Sequence, residues 1–166
     1  SFEVDCNKTY TIVGYLTDYK EVQKSITTDF DNEKVNIADL SLIPLILDNQ
    51  IVINPIFFDF DKSTIRTDAQ YELENIVDVL RKHPKMVIRI ESHTDSRGRD
   101  KYNLKLSNRR ANATRDYIIS RGIDIERIVS AIGYGETQLL NRCSKRVKCT
   151  EEEHQINRRS YFYIVK

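Results

Sequence analysis

Two short stretches of this chain carry the residues best suited to chemistry: Thr94-Asp95-Ser96-Arg97-Gly98, and Asn103-x-x-Leu106-Ser107-x-x-Arg110-Ala111. Gly98 permits a turn that a β-carbon would oppose, and Asp95 stands at the mouth of an expected strand-to-helix loop. On a helix, Asn103, Leu106 and Arg110 fall at i, i+3 and i+7, hence on one side. Asp95 and Arg110 can therefore flank one pocket. A carboxylate and a guanidinium held close without touching fit a zwitterionic amino-acid head group: Asp takes the ammonium, Arg forks the carboxylate. Each such charge-assisted bond contributes roughly 1.5–3 kcal/mol. The same spacing also suits a plain Asp–Arg ion pair tying loop to helix, and spacing alone leaves both open. A ligand pocket would be open, its charges partly hydrated, so Arg110→Ala should cost no more than ~1 kcal/mol of stability.

Other residues invite chemistry less strongly. His93 beside Asp95 reads as a hydrogen-bonded histidine ending a strand rather than a catalytic or metal group. Cys143, Cys149 and His154 could form a disulfide or a metal site, but C-x5-C-x4-H lacks a fourth ligand and matches no common zinc spacing. Cys6 reads as simply buried. Gly133-Tyr134-Gly135 lacks the third glycine and following helix of a dinucleotide fingerprint. No nucleophile elbow, HExxH or P-loop occurs, so catalysis is not expected. Arg99, Lys101, Lys105, Arg109, Arg110 and Arg115 could suggest a nucleic-acid patch. Interspersed Asp100 and Asp116, and no array of stacking aromatics, make this a solvated helix face instead.

The elements that must position these residues follow from periodicity. Thr67 is the expected N-cap of a first helix, with Gln70 placed for a capping box. Leu73, Ile76, Val77 and Leu80 then form one face, and Pro84 stops the helix. Met86–Glu91 is an expected strand and 93–100 a loop. A second helix spans about Lys101–Arg121 with Gly122 as C′, its core stripe Leu104, Ser107, Ala111, Thr114 and Ile118. Strands at Ile51–Phe60, Ile128–Ile132 and Tyr161–Val165, and a helical turn near Glu151–Asn157, complete an α+β order β-α-β-α-β-β, two helices on one face of a sheet. Before residue 51, Thr9–Leu16, Glu21–Thr27 and Lys34–Leu42 read as short strands. Three strands make a poor independent core. The segment 1–50 resembles the remnant of a β-sandwich-like domain.

Bulk properties set the outer limits. The chain has 166 residues, 40% hydrophobic and 31% charged, which excludes disorder and points to a folded core. Residues 1–50 carry 4 Lys/Arg against 9 Asp/Glu, whereas 51–166 carry 22 against 16. The break supports a domain boundary near residue 50. The cationic second part is too weakly charged to imply nucleic acid. No apolar run approaches the ~20 residues of a membrane-spanning helix. No signal peptide stands at Ser1, which points to a mature fragment.

A resemblance sharpens the expectation. Phe57-Phe58-Asp59-Phe60-Asp61, His93-Thr94-Asp95-Ser96-Arg97-Gly98, Asn103 to Ala111, Gly133-Tyr134-Gly135-Glu136 and Asn157-Arg158-Arg159 together resemble the OmpA-like C-terminal domain family over about residues 52–166. The resemblance implies non-covalent peptidoglycan binding through the diaminopimelate of the stem peptide, with no cofactor. The Asp of TDxxG and the Arg of LSxxRA fall on Asp95 and Arg110. Thr94, Asn103, Arg158 and Asp61 are then implied as further contacts. The long 136–157 segment departs from the simplest family pattern. The family's oxidising periplasmic setting implies a Cys143–Cys149 disulfide. The expected role is to anchor an outer-membrane protein to the wall from the periplasmic side, its membrane part lying outside this chain. The alternatives are a lipoprotein or motor-stator anchor and, from another class, a metal-dependent wall-modifying enzyme.

Overall fold

The computed structural model describes residues 3–30, 35–47, 50, 51 and 55–165. The chain divides into two compact units, Ser1–Ile46 and Leu47–Lys166, a few residues ahead of the expected break.

In the first unit, β-branched and aromatic side chains form β1 (Thr9–Gly14) and β3 (Val22–Thr27). They pair antiparallel from Thr9↔Thr27 to Gly14↔Val22. Hydroxyls meet across the ladder at Thr9–Thr27 (2.9 Å) and Thr11–Ser25 (3.2 Å). The two-residue strands β2 (Tyr19–Lys20) and β4 (Ile43–Pro44) pair likewise. The expected strand at 34–42 is not there: residues 35–42 have no strand partner, and Lys34 lies outside the described residues. Val35 and Ile37 remain 81% and 74% exposed, and the half-burial of Ala38, Leu40 and Leu42 brings no ladder with it. Cys6 is half-buried rather than buried.

The sheet of the second unit runs β5-β6-β10-β8-β9, with β7 also pairing β10. Here β5 is Ile46–Leu47 at the junction of the units, β6 Gln50–Ile51 and β7 Ile56–Phe57. The expected long strand 51–60 is thus two short ones; residues 52–54 between them lie outside the described residues. The order onward is α1 (Thr67–Lys82), β8 (Ile88–Ser92), α2 (Asp100–Ser120), β9 (Ile128–Gly133), α3 (Glu151–Gln155) and β10 (Arg159–Ile164). β8 pairs parallel with β9 and antiparallel with β10. The parallel pair requires a crossover, which α2 supplies. This is the α+β arrangement its sequence implies, with α3 where a helical turn is expected near Glu151–Asn157.

Leu73, Ile76, Val77 and Leu80 of α1 are fully buried, contributing roughly 1.5–3 kcal/mol each. The N-cap, however, is Arg66, whose extended backbone offers its carbonyl to Gln70 N at 3.0 Å. Thr67 lies inside the first turn and cannot cap. Asp68 supplies the negative charge there, accepting from Ala69 N and forking Arg66. In α2 the buried face is wider than the expected stripe and loses one member of it. Ser107, Ala111, Thr114 and Ile118 are buried, but Leu104 is 48% exposed and Asn103, Leu106 and Arg110 complete the face. α2 lies so close to β9 that a Cβ on Gly133 would come within 2.2 Å of Asn108 N. Only glycine fits there, and that contact fixes where the N-terminal half of α2 sits against the sheet. No described helix is long and apolar enough to cross a membrane.

Candidate ligand-binding site

The site forms where four connections meet: the loop after β7, the loop from β8 to α2, the first turns of α2, and the start of β10. Thr94 N donates to Gly135 O at 2.9 Å and His93 N to Arg159 O at 2.9 Å, so neighbouring strands hold the β8–α2 loop. Gly98 turns it with φ +106°, a conformation that disfavours a side chain. A cavity of about 220 Å³ opens above. Phe60, Asp61, Thr94, Asp95, Arg97, Tyr102, Asn103, Leu106, Arg110 and Arg158 stand among its walls.

All six ligand residues expected from sequence therefore line one cavity, but their state differs from expectation. Arg110 is fully buried and Asp95 is 3% exposed, so neither is a half-hydrated surface group. Nor do they pair. Arg110 donates Nε to Lys62 O (2.9 Å), Nη1 to His93 O (2.9 Å) and Nη2 to Asp59 O (3.1 Å). Phe58 packs against its guanidinium at 5.0 Å. Asp95 instead accepts from Arg97 N (3.0 Å) and Arg97 Nη2 (2.7 Å), and from Arg158 Nη1 (2.9 Å). Loop geometry decides this: the β7–α1 loop offers carbonyls to Arg110, while Arg158 at the head of β10 faces Asp95.

Charge follows from these contacts. Burial opposes ionisation of Asp95, but hydrogen bonds from Arg97 and Arg158 outweigh it and hold the carboxyl below its ordinary range. Burial, with Arg158 nearby, pushes Arg110 down to about 10, still charged at neutral pH. Among the described residues Arg110 has no carboxylate within ion-pair distance, whereas Arg97 and Arg158 share Asp95 and Glu151. The cavity thus keeps one guanidinium that is held by carbonyls and feels the Asp95 and Asp61 carboxylates only at a distance. Thr94 adds a buried hydroxyl with no hydrogen-bond partner among the described residues. A carboxylate is the ligand group that complements both.

The other expected contacts act mostly as structure. Asn103 Nδ2 donates to Asp95 O (3.3 Å), Arg97 O (3.1 Å) and the Glu136 carboxylate. Asp61, with φ +59°, accepts from the Tyr102 hydroxyl. Arg158 is 2% exposed and also donates to Phe58 O (3.0 Å) and Glu151 (2.6 Å). Sequence reasoning gave no role to Arg97, whose guanidinium stacks over Phe60 at 4.2 Å while forking Asp95. Its position two residues after the acid in a tight loop was the available signal.

The 136–157 segment borders the site. Cys143 and Cys149 are joined by a disulfide with Cα atoms 5.8 Å apart. Among the described residues they lie with Glu153 in one cluster of metal-ligand types, but the bonded sulfurs offer no thiolates. Thr150 caps α3 through a complete capping box, aiming Glu151 at Arg97 and Arg158. A closed loop this short stabilises by about 2 kcal/mol through chain entropy. Alkylation of the unreduced protein is expected to leave Cys143 and Cys149 unlabelled by mass spectrometry; label on both would refute the bond. His93 follows β8 with both main-chain groups hydrogen-bonded, to Arg159 O and Arg110 Nη1, while its ring Nδ1 has no partner among the described residues.

Several known proteins are similar to this chain. The OmpA family model matches residues 57–152, more than half of the chain. Outer membrane porin F of Pseudomonas aeruginosa is 41% identical over 103 residues, 61% of this chain and 28% of the porin. The peptidoglycan-associated lipoprotein of Rhizobium meliloti is 47% identical over 88 residues, 53% of this chain and 49% of the lipoprotein. The crystal structure of the peptidoglycan-associated lipoprotein from Burkholderia pseudomallei superposes with a TM-score of 0.59 at 28% identity, covering 66% of this chain and 87% of that one. The chain spans half or less of the length of these two curated relatives.

Proposed function

The chain belongs to the OmpA family, and we propose that its second unit binds peptidoglycan non-covalently through the diaminopimelate of the stem peptide, anchoring a larger outer-membrane protein to the wall from the periplasmic side. One observation carries this reading: Asp95 and a carboxylate-free Arg110 line the same cavity, beside the unpartnered Thr94 hydroxyl. A free amino-acid head group brings one ammonium and one carboxylate. The carboxylate lies against Arg110 and the Thr94 hydroxyl, adding charge-assisted bonds of roughly 1.5–3 kcal/mol. The ammonium goes to Asp95 and displaces Arg97, whose side chain is 34% exposed and keeps Glu151 as its other partner. Arg158, almost wholly buried, stays and keeps Asp95 ionised.

Nothing in this arrangement activates a nucleophile or polarises a bond. The protein is proposed as a binder, with the membrane link supplied by parts of the protein beyond this chain. A single weak site gains strength on a polymer because many copies of the ligand are presented together. The test is sedimentation with purified sacculi at physiological salt. Protein should pellet with the wall and be released by excess free diaminopimelate; protein left in the supernatant would end this reading.

A further inference from the structure

The ligand cavity is the first of three. Arg97 and Gly98 on its rim also line a second cavity of about 370 Å³, bounded beyond them by Ser96, Ser144, Lys145 and His154. Ser96, Ser144 and Lys145 in turn line a third, of about 340 Å³, that reaches Arg146. Each shares walls with the next. A groove therefore leads from the Asp95 loop to the segment bracketed by the disulfide.

That segment, Cys143-Ser144-Lys145-Arg146-Val147-Lys148-Cys149, carries three cations and no acid. It is held in place as well as closed. The Ser96 hydroxyl donates to Cys143 O, and Lys145 bridges Glu136 (3.1 Å) and Asp100. The charge of Lys145 is thus balanced. Arg146 is exposed and has no carboxylate within ion-pair distance among the described residues. Along the same wall His154, 7% exposed, keeps Nδ1 without a hydrogen-bond partner among the described residues. Val147 and Leu139 add apolar wall and Glu136 is already paired with Lys145, so the hydroxyls and the unbalanced guanidinium of Arg146 suit a short peptide ending in an anion.

We propose that this groove is a second subsite, which receives the peptide arm continuing from the bound head group and meets its terminal carboxylate with Arg146. The inference rests on the reading of the first cavity as a diaminopimelate site. Because Arg146 is hydrated, its contribution is modest, roughly fivefold in affinity.

Calorimetric titration with three probes tests it: free diaminopimelate, a stem tetrapeptide containing it, and that tetrapeptide with its terminal carboxyl amidated. The unmodified tetrapeptide should bind about fivefold tighter than the amidated one. Arg146→Ala should abolish that difference, Arg146→Lys should keep it, and neither should change the affinity for free diaminopimelate. Equal binding of the two tetrapeptides, or a difference that survives Arg146→Ala, overturns the subsite while diaminopimelate binding leaves the first cavity's role standing. Failure of all three probes to bind overturns both.

Discussion

Replacing Arg110 by alanine is expected to lower the unfolding free energy by roughly 3–5 kcal/mol, far more than a surface ion pair would. The guanidinium is fully buried and holds three carbonyls, those of Asp59, Lys62 and His93. Two belong to the loop after β7 and one to the loop after β8, so a single side chain pins both loops to α2. Alanine would strand buried carbonyls at roughly 1–3 kcal/mol each and open a void beneath Phe58. Release from desolvating a charge returns part of this, which keeps the net below the sum. Lysine keeps the charge but presents one ammonium where a planar fork served three directions, so Arg110→Lys should recover only part of the loss. Denaturant unfolding of both variants measures this; a cost within ~1 kcal/mol for alanine would show that the buried network carries no weight. The ligand role is read separately, as diaminopimelate affinity of the folded fraction at low temperature. A protein with an ordinary reserve of roughly 5–15 kcal/mol retains such a fraction.

The contrast with the expectation from sequence shows what spacing reveals and what it hides. Apolar period placed α1 well, because Leu73, Ile76, Val77 and Leu80 announce their own burial. On α2 it placed Ser107, Ala111, Thr114 and Ile118 correctly but took Leu104 as core and missed that the buried face extends to Asn103, Leu106 and Arg110. The burial of Asn103 and Arg110 is set by hydrogen-bond acceptors contributed from loops elsewhere in the chain, and hydropathy cannot register those. The pair Asp95 and Arg110 was legible as a pocket from the helical phase of 103, 106 and 110 and from the family motif. Their partners were not: Arg158 lies 63 residues from Asp95, and the carbonyls under Arg110 come from as far as 51 residues away. The strand expected over 34–42 failed for the converse reason. Alternation describes a residue pattern, but a strand exists only where another strand completes its hydrogen bonds.

Acid should destabilise the protein between pH 6.5 and about 4, and His93 should be the main cause. The imidazole is 1% exposed, lies 5.7 Å from the Tyr134 ring in a near-parallel stack, and meets Tyr161 edge-on. Burial, reinforced by the charge of Arg159, lowers its pKa from 6.5 to about 4. The folded protein therefore keeps His93 neutral over a range in which the unfolded chain protonates it. Above pH 6.5 both states are neutral and stability is level. As pH falls from 6.5 to 4 only the unfolded state gains the proton, and stability drops by up to roughly 3 kcal/mol before levelling again. Asp95 acts in a different window, since its carboxyl titrates below the ordinary carboxylate value of 3.8 and its contribution is lost only at lower pH. His93→Phe isolates the effect. The ring keeps its aromatic neighbours, Nδ1 had no partner to lose, and the main-chain bonds to Arg110 and Arg159 remain. That variant should lose much less stability between pH 6.5 and pH 4.5 than the parent, the small remainder coming from carboxylates such as Glu151, held below their ordinary range by Arg97 and Arg158. A flat parent profile, or a slope that survives the substitution in full, would remove His93 from this role. The consequence reaches the ligand site, because His93 O is one of the three acceptors that position Arg110. The folded ring takes a proton only near pH 4, so diaminopimelate affinity of the folded parent should hold from pH 6.5 to 4.5 and fall below about pH 4, a fall that His93→Phe should not share.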